Sequence, residues 1–305
     1  KRMNTAVIIA RFQSPYLHEG HLHLIREVQT NHPKVVIVLG TAPLSGSPRN
    51  PFDYHTREKM IKSSFPEVIV LPLHDEPSDE AWSENLDRLL GSTFSGEQFL
   101  LYGSRDSFIQ YYSGKYETTE LPAHGDYNAT EIRAQYANKV LDSADFRAGI
   151  LYAYNVMYKK VYPTVDVAVF RHDRTELLLG RKRNSTLLRF PGGFVDPEDD
   201  SYEAAAKREL MEETGKLNVS KMTYEMSSRI DDWRYRNETD KIITHLYSCD
   251  LIEGTAAAND DIVSVEWVKI DQLSALKKTK KLNNEHTPLF DFIIAKYVKN
   301  QLKSN

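Results

Sequence analysis

Short apolar runs recur through the first half of the chain, separated by stretches with the three-to-four-residue period of a helix. Residues 7–10, 35–39, 68–73 and 99–102 are brief, rich in branched or aromatic side chains, and bounded by Gly, Pro or polar residues. That pattern predicts buried strands. Between them, residues 21–30, 56–64 and 79–90 carry helical periodicity. Strands alternating with helices predict an α/β fold, a doubly wound parallel sheet of Rossmann-like type, which binds ligands beyond the carboxyl ends of its strands. A further helix is expected over 144–160, closing this domain or leading out of it.

At Tyr162-Pro163 the pattern changes. Strand-like residues 165–170 and 176–180 flank a polar turn, His172-Asp173-Arg174, and a strong helical pattern covers 201–214. More strands follow at 241–250 and 263–268, then an amphipathic helix at about 287–302. Strands joined by turns, with few helices, predict an α+β second domain. The expected boundaries are 1–153 for the first domain, 154–161 for a linker and 162–305 for the second, with no internal repeat.

Composition narrows the class. A chain of 305 residues is long enough for two separate cores. Its 43 acidic and 39 basic residues leave a formal charge of −4. That balance argues against a protein built to hold nucleic acid or an anionic membrane, both of which select a basic face. With 41% hydrophobic and 27% charged residues it reads as folded and globular. No apolar run approaches the ~20 residues that span a bilayer. The lone Cys249 excludes an intramolecular disulfide, and no Cys/His cluster has zinc-finger spacing. The expectation is a cytoplasmic protein without a signal peptide, free to form homo-oligomers. Lysines 277, 278, 280 and 281 are expected to be a solvated helix end, with a phosphate patch as the alternative.

Two constellations carry chemistry. The first follows the first strand: Arg11-Phe12-Gln13, then His18-Glu19-Gly20-His21 opening a helix. Histidines three apart in a first turn face one way, beside backbone amides that lack intrahelical partners. The helix dipole favours an anion there, so phosphate is the natural guest. Gly20 lets a phosphate or ribose come close to the backbone. Imidazoles can stabilise charge developing in a transition state. The plainer alternative is a solvent-facing helix start with incidental histidines. Near the end of the same domain, Asn128-Ala129-Thr130-Glu131-Ile132-Arg133 reads as a second helix start, with Thr130 as N-cap and Arg133 aimed at the anion.

Together these residues resemble the His-x-Gly-His nucleotidyltransferases, whose second signature is a Ser/Thr-x-x-Arg helix start. Arg11-Phe12-Gln13 and Asn50-Pro51-Phe52 are similar to the archaeal-type nicotinamide mononucleotide adenylyltransferases, over about residues 5–140. The resemblance implies that His18 and His21 stabilise phosphates during attack on ATP, with Thr130 and Arg133 on the ATP phosphates. It also implies that Arg11, Phe12, Gln13 and Gly20 line the substrate site, that Trp82 stacks on nicotinamide, and that Mg²⁺ bridges ATP phosphates. For Trp82 a place in the core is the alternative. The family usually runs Arg-Phe-Gln-Pro-Phe-His-x-Gly-His; here Ser14-Pro15-Tyr16-Leu17 supplies two extra residues before His18.

The second constellation is Gly192-Gly193-Phe194-Val195-Asp196, followed by Arg208-Glu209-Leu210-Met211-Glu212-Glu213-Thr214-Gly215. Glu209, Glu212 and Glu213 fall on one helical face at spacings of three and four. Repulsion among them suits hard divalent cations, although a solvated acidic face would show the same spacing. The run resembles the Nudix box over about residues 162–285. Counting six residues from Gly193 to Asp200 leaves one extra in the loop, and aspartate (Asp200 or Asp199) replaces the usual glutamate. The resemblance implies Mg²⁺ (or Mn²⁺) on Glu209, Glu212 and Glu213, with Glu213 catalytic and Gly193 lining the site. Asp232-Trp233-Arg234-Tyr235-Arg236 offers Trp233 and Arg234 as groups to hold adenine and phosphate, with a plain surface loop as the alternative. Asp260 and Asp261 are candidates for a further base or ligand.

The pair of domains is similar to the bifunctional nicotinamide mononucleotide adenylyltransferase / Nudix hydrolase family. That implies an enzyme of NAD metabolism handling ATP, nicotinamide mononucleotide, NAD and ADP-ribose, with ADP-ribose cleaved to AMP and ribose 5-phosphate. One competing reading changes the acceptor, for instance to nicotinate mononucleotide. The other makes the Nudix half a non-hydrolysing sensor of ADP-ribose or NAD, which usually lacks box glutamates and carries a DNA-binding module.

Overall fold

The computed structural model describes residues 5–44, 46–104, 107–183 and 185–298. Its contacts divide the chain into two units, Lys1–Tyr158 and Lys159–Asn305.

In the first unit, strands β1 (Thr5–Ala10), β2 (Val35–Thr41), β3 (Ile69–His74), β4 (Phe99–Gly103) and β5 (Glu117–Glu120) form a parallel sheet in the order β3-β2-β1-β4-β5. Side chains alternate across each strand. Ala6, Ile8, Val35, Ile37 and Leu39 meet Ile25 and Val28 of helix α1 (Glu19–Asn31) and Ile61 of α2 (Tyr54–Ser64) on one face. Val7, Val36 and Val38 meet Leu86 and Leu90 of α3 (Asp79–Thr93) on the other. This two-sided burial explains the continuous apolar runs of parallel strands. The order reverses beside β1, so its carboxyl end opens a crevice at the switch point. Helix α4 (Ala129–Ala137) follows β5, and α5 (Ala144–Val156) follows α4. The expected helix over 144–160 thus ends at Val156, where Met157 turns to extended backbone (φ −71°, ψ 144°) and residues 158–160 lead into a strand.

The second unit is built on β6 (Val161–Arg171), β7 (Glu176–Lys182), β8 (Gly192–Phe194), β9 (Asn218–Val219), β10 (Thr223–Ile230), β11 (Lys241–Glu253) and β12 (Ile262–Lys269). The main path is β10-β11-β6-β7-β12, with β8 on β6 and β9 on β11. Only β6 and β11 run parallel in this mixed sheet. Helix α6 (Tyr202–Thr214) covers one face through Ala205, Ala206 and Leu210 against Val165, Val167 and Val169. Helices α7 (Leu273–Lys278) and α8 (Thr287–Ile293) cover the other, where Leu273, Leu289, Phe290 and Ile293 pack on Ala168 and Phe170. The expected terminal helix over 287–302 is α-helical only to Ile293 and continues as a π-turn, Ile294–Val298; its last positions lie outside the described residues. The expected polar turn holds His172, Asp173 and Arg174 in a row at φ of 52°, 55° and 64°. Arg174 secures it by donating from Nε and Nη2 to Asp250 (both 2.8 Å) and from Nη1 to Tyr297 (2.8 Å). Among the described residues no helix is long and apolar enough to cross a membrane.

Candidate active sites

The first unit's site lies at the carboxyl end of β1. There His18 is the N-cap of α1, its Nδ1 accepting from the His21 backbone N–H at 3.4 Å. Accepting at Nδ1 leaves the neutral ring its proton on Nε2. The His18 and His21 rings stack with centroids 3.5 Å apart, and Phe12 tilts onto His21 at 4.4 Å. Burial, with the neighbouring His18, pushes the His21 imidazole down to about 3, and burial also lowers His18. Both rings are therefore neutral at physiological pH. Neutral imidazoles offer hydrogen-bond donors but no fixed positive charge.

Phe12 takes φ of 46°, and the chain on either side of it is pinned. The buried Arg57 donates from Nη1 to the carbonyls of Arg11 (2.7 Å) and Gly40 (2.9 Å). Gln13 exchanges two hydrogen bonds with the Phe52 backbone, at 2.9 and 3.0 Å. Arg11 pairs with Asp75 at 2.6 Å.

A cavity of about 640 Å³ opens here, lined among others by Arg11, Gln13, His21, Asn50, Thr130 and Arg133. Two calls change. Asn128, not Thr130, caps α4, its Oδ1 accepting from the Thr130 and Glu131 N–H groups. An Asx side chain two residues earlier meets those amides better, because Thr130 already has helical backbone. The Thr130 hydroxyl instead accepts from Arg133 Nη2 (3.0 Å), while Nη1 donates to the Gln13 carbonyl (2.8 Å). Arg133 so ties the second signature to the first. At Gly20 the free space is taken by protein: a Cβ would lie 3.0 Å from the His124 carbonyl oxygen. Trp82 is half-buried against the α3 face of the sheet, 5.9 Å from the Phe108 ring, and is not among the residues lining the cavity.

The second unit's site centres on α6. Glu213 is 3% exposed and accepts from the Gly192 N–H at 2.8 Å. Burial pushes its carboxyl up to about 7, and burial also raises Glu209. Gly192 sits at φ of 152°, where a Cβ would collide with the Val165 carbonyl at 2.0 Å. A Cβ on Gly193 would lie 2.4 Å from Glu209 Oε2. Gly192 is therefore a steric requirement of the packing between β8 and β6, whereas a side chain at Gly193 would displace the Glu209 carboxylate.

Arg208 Nη1 donates to Glu209 (2.7 Å) and Glu212 (3.2 Å). Its Nε and Nη2 fork onto Asp199 at 3.0 and 2.7 Å, holding that carboxyl down to about 2. Asp199, rather than Asp200, is thus the aspartate that holds Arg208. Residues 194–198 restore a five-residue spacing, and the extra residue falls between Asp199 and Arg208. With Arg208 in their midst, no three His, Cys, Asp or Glu groups among the described residues form a ready metal cage.

Lys182 pairs with Asp261 at 2.8 Å and stands 3.9 Å from Glu213. Arg189, just ahead of the Gly-Gly loop, meets the buried His286 at 3.1 Å; burial raises both Asp166 and Glu213, and the Arg189 charge offsets only part of that rise. Neither cation is marked by a spacing rule; only their nearness to the box in sequence or sheet register could have flagged them. Asp260 takes φ of 50°. Trp233 is 72% exposed, and Arg234 is engaged by Asp232 (2.7 and 3.0 Å) over the Phe194 ring. Of the candidate lysines, Lys277 pairs with Asp291 at the end of α7.

Comparison with known proteins bears on both units. The chain is 30% identical over 142 residues to a nicotinamide-nucleotide adenylyltransferase of Methanococcus aeolicus, covering 44% of this chain and 77% of that one. The chain belongs to the nicotinamide-nucleotide adenylyltransferase family. A second member, from Methanolobus tindarius, is 34% identical over 88 residues, which is 28% of this chain and half the length of that relative. Residues 161–290 match the family model described as NUDIX domain, so the adenylyltransferase unit is followed by a Nudix domain. The solved structure of a bifunctional NMN adenylyltransferase/ADP ribose pyrophosphatase from Francisella tularensis is 21% identical, with a TM-score of 0.43 over 97% of this chain and 99% of that one.

Proposed function

We propose that the first unit transfers the adenylyl group of ATP to nicotinamide mononucleotide, and that the second hydrolyses ADP-ribose to AMP and ribose 5-phosphate. The observation that carries the first reading is the stacked, neutral His18–His21 pair at the start of α1, whose His21 lines the same cavity as Arg133. A phosphate oxygen of the mononucleotide attacks the α-phosphorus of ATP. The bond to the bridging oxygen breaks, and pyrophosphate leaves with that electron pair. His21 and the α1 amides donate to the non-bridging oxygens as charge builds on them, while Arg133 holds the triphosphate. No protein atom bonds to substrate.

For the second unit, the donor set fits a hard divalent ion such as Mg²⁺ or Mn²⁺. Glu209, Glu212 and Glu213 offer oxygen, and the bare Cα of Gly193 leaves the Glu209 carboxylate open on one side. Such an ion would supply Lewis-acid activation of water and phosphate. Glu213, poised near neutrality by burial, is suited to accept a proton from water. Arg208, which donates to Glu209 and Glu212 here, would have to turn from them for such an ion to bind, while its fork on Asp199 can hold it in place.

The test uses one preparation of the full chain. ATP with either nicotinamide or nicotinate mononucleotide should yield the dinucleotide and pyrophosphate, with the amide preferred. ADP-ribose with Mg²⁺ or Mn²⁺ should yield AMP. No dinucleotide from either acceptor would overturn the first reading, and intact ADP-ribose with both metals the second.

A further inference from the structure

The His18 imidazole has a second flat neighbour. The Tyr127 ring lies against its other face, with centroids 4.5 Å apart and planes 9° from parallel. Phe12, His21, His18 and Tyr127 thus form a column of four rings from the end of β1 to the segment before α4. Among the described residues the polar restraint on the His18 ring is the 3.4 Å bond to its Nδ1, which is too long to fix an imidazole by itself. Two stacked faces can do so, since a ring wedged between planes keeps only in-plane freedom.

The chain around Tyr127 is shaped for this contact. Gly125 takes φ of 74°, and a Cβ there would lie 2.5 Å from the Tyr127 ring. The His124 carbonyl closes over Gly20 at the same helix start. The next residue, Asn128, is the cap of α4, so the backbone that carries Tyr127 also sets where Thr130 and Arg133 begin.

We infer that Tyr127 is a positioning residue for adenylyl transfer: its ring holds the His18 imidazole in the plane from which Nε2–H meets the reacting phosphate, and ties that plane to the phosphate-binding start of α4. The inference rests on the proposed transferase reading. Tyr127 itself borders the cavity, so a role through His18 and a direct substrate contact differ in whether kcat or KM moves.

Three variants of the full chain test it: Y127A, Y127F and G125A. Misplacing a reacting or stabilising group by about 1 Å can cost roughly a hundredfold in rate. Y127A should therefore lose about tenfold to a hundredfold in kcat, with KM for ATP and the mononucleotide changed less than about twofold. Y127F keeps the ring and should restore most of that loss. G125A pushes the ring off His18 while leaving Tyr127 in place, and should reproduce the Y127A defect. Y127A with kcat within about twofold of the parent overturns the inference, as does a defect confined to KM, which would make Tyr127 a substrate contact. Y127F as damaged as Y127A also overturns it, by assigning the role to the hydroxyl. Should G125A fail to fold, the comparison of Y127A with Y127F decides alone. A parent chain that makes no dinucleotide would instead sink the transferase reading, so the two failures are distinguishable.

Discussion

Replacing Glu213 by Gln should make the fold more stable while abolishing hydrolysis. Burial raises the Glu213 carboxyl from an ordinary 4.5 to about 7, despite the Gly192 N–H and Lys182 favouring the charge. At about 1.4 kcal/mol for each tenfold, keeping it ionised in the folded state costs about 3 kcal/mol. The sign follows from the order of titration. The unfolded chain ionises this group at lower pH than the folded one, so the penalty begins above about pH 4.5 and is complete above about 7. Gln accepts from Gly192 equally well but brings two N–H donors to a site 3% exposed. Unmet donors take back part of the gain, leaving about 1–3 kcal/mol. Urea denaturation of both proteins with a chelator present, at about pH 5 and about pH 8.5, reads the difference directly. The gain should appear at the higher pH and shrink towards the lower. Equal stability at both, or a loss at the higher pH, would refute the claim that Glu213 is a buried charge held at a cost.

Three further outcomes follow from the geometry. H21A should lower the rate of dinucleotide synthesis about 10²–10³-fold by removing one placed donor, and leave ADP-ribose hydrolysis untouched in the same preparation. G193A puts a Cβ 2.4 Å from Glu209 Oε2, so hydrolysis should fall to background while synthesis continues; retained hydrolysis would show that the loop relaxes freely. W82A should cost the first unit about 1–2 kcal/mol in a melting experiment with little change in the KM for mononucleotide. A raised KM with unchanged melting would return Trp82 to a stacking role.

Both architectures were legible because burial writes itself into sequence. The strands of the first sheet are covered on two faces and read as unbroken apolar runs, whereas β5, Glu117-Thr118-Thr119-Glu120, is a polar edge strand and gave no signal. In the second unit β10 carries mixed residues such as Thr223, Glu225 and Arg229 and was equally silent. Local motifs placed the helix starts at His18 and Ser201, where the capping residue and the chemistry coincide. They misplaced the cap of α4, since Asn128 and Thr130 are both good caps and only the backbone decides between them. Asp199 and Asp200 are likewise indistinguishable until Arg208 reaches one of them. What stayed hidden is what depends on distant pairing: Lys182 and Arg189 acting on Glu213, His286 against Arg189, and Tyr127 on His18.

The three left-handed residues of the β6–β7 turn have a bearing on catalysis, although they are far from it in sequence. Each costs roughly 1 kcal/mol for a side chain other than glycine. In the observed alignment of the two strands, Phe170 opposite Leu177 and Arg171 opposite Glu176, Arg174 reaches both Asp250 and Tyr297, which offsets that cost. A slip of one residue would keep the expense and forfeit the clasp. It would also turn every side chain of β6 to the opposite face. The other end of β6 pairs Asp166 with Gly192 and Val165 with Gly193, so the alignment proofread at the turn sets the depth at which the glycine loop meets Glu213. The hairpin is in effect the gauge by which this hydrolase-type site is cut to length.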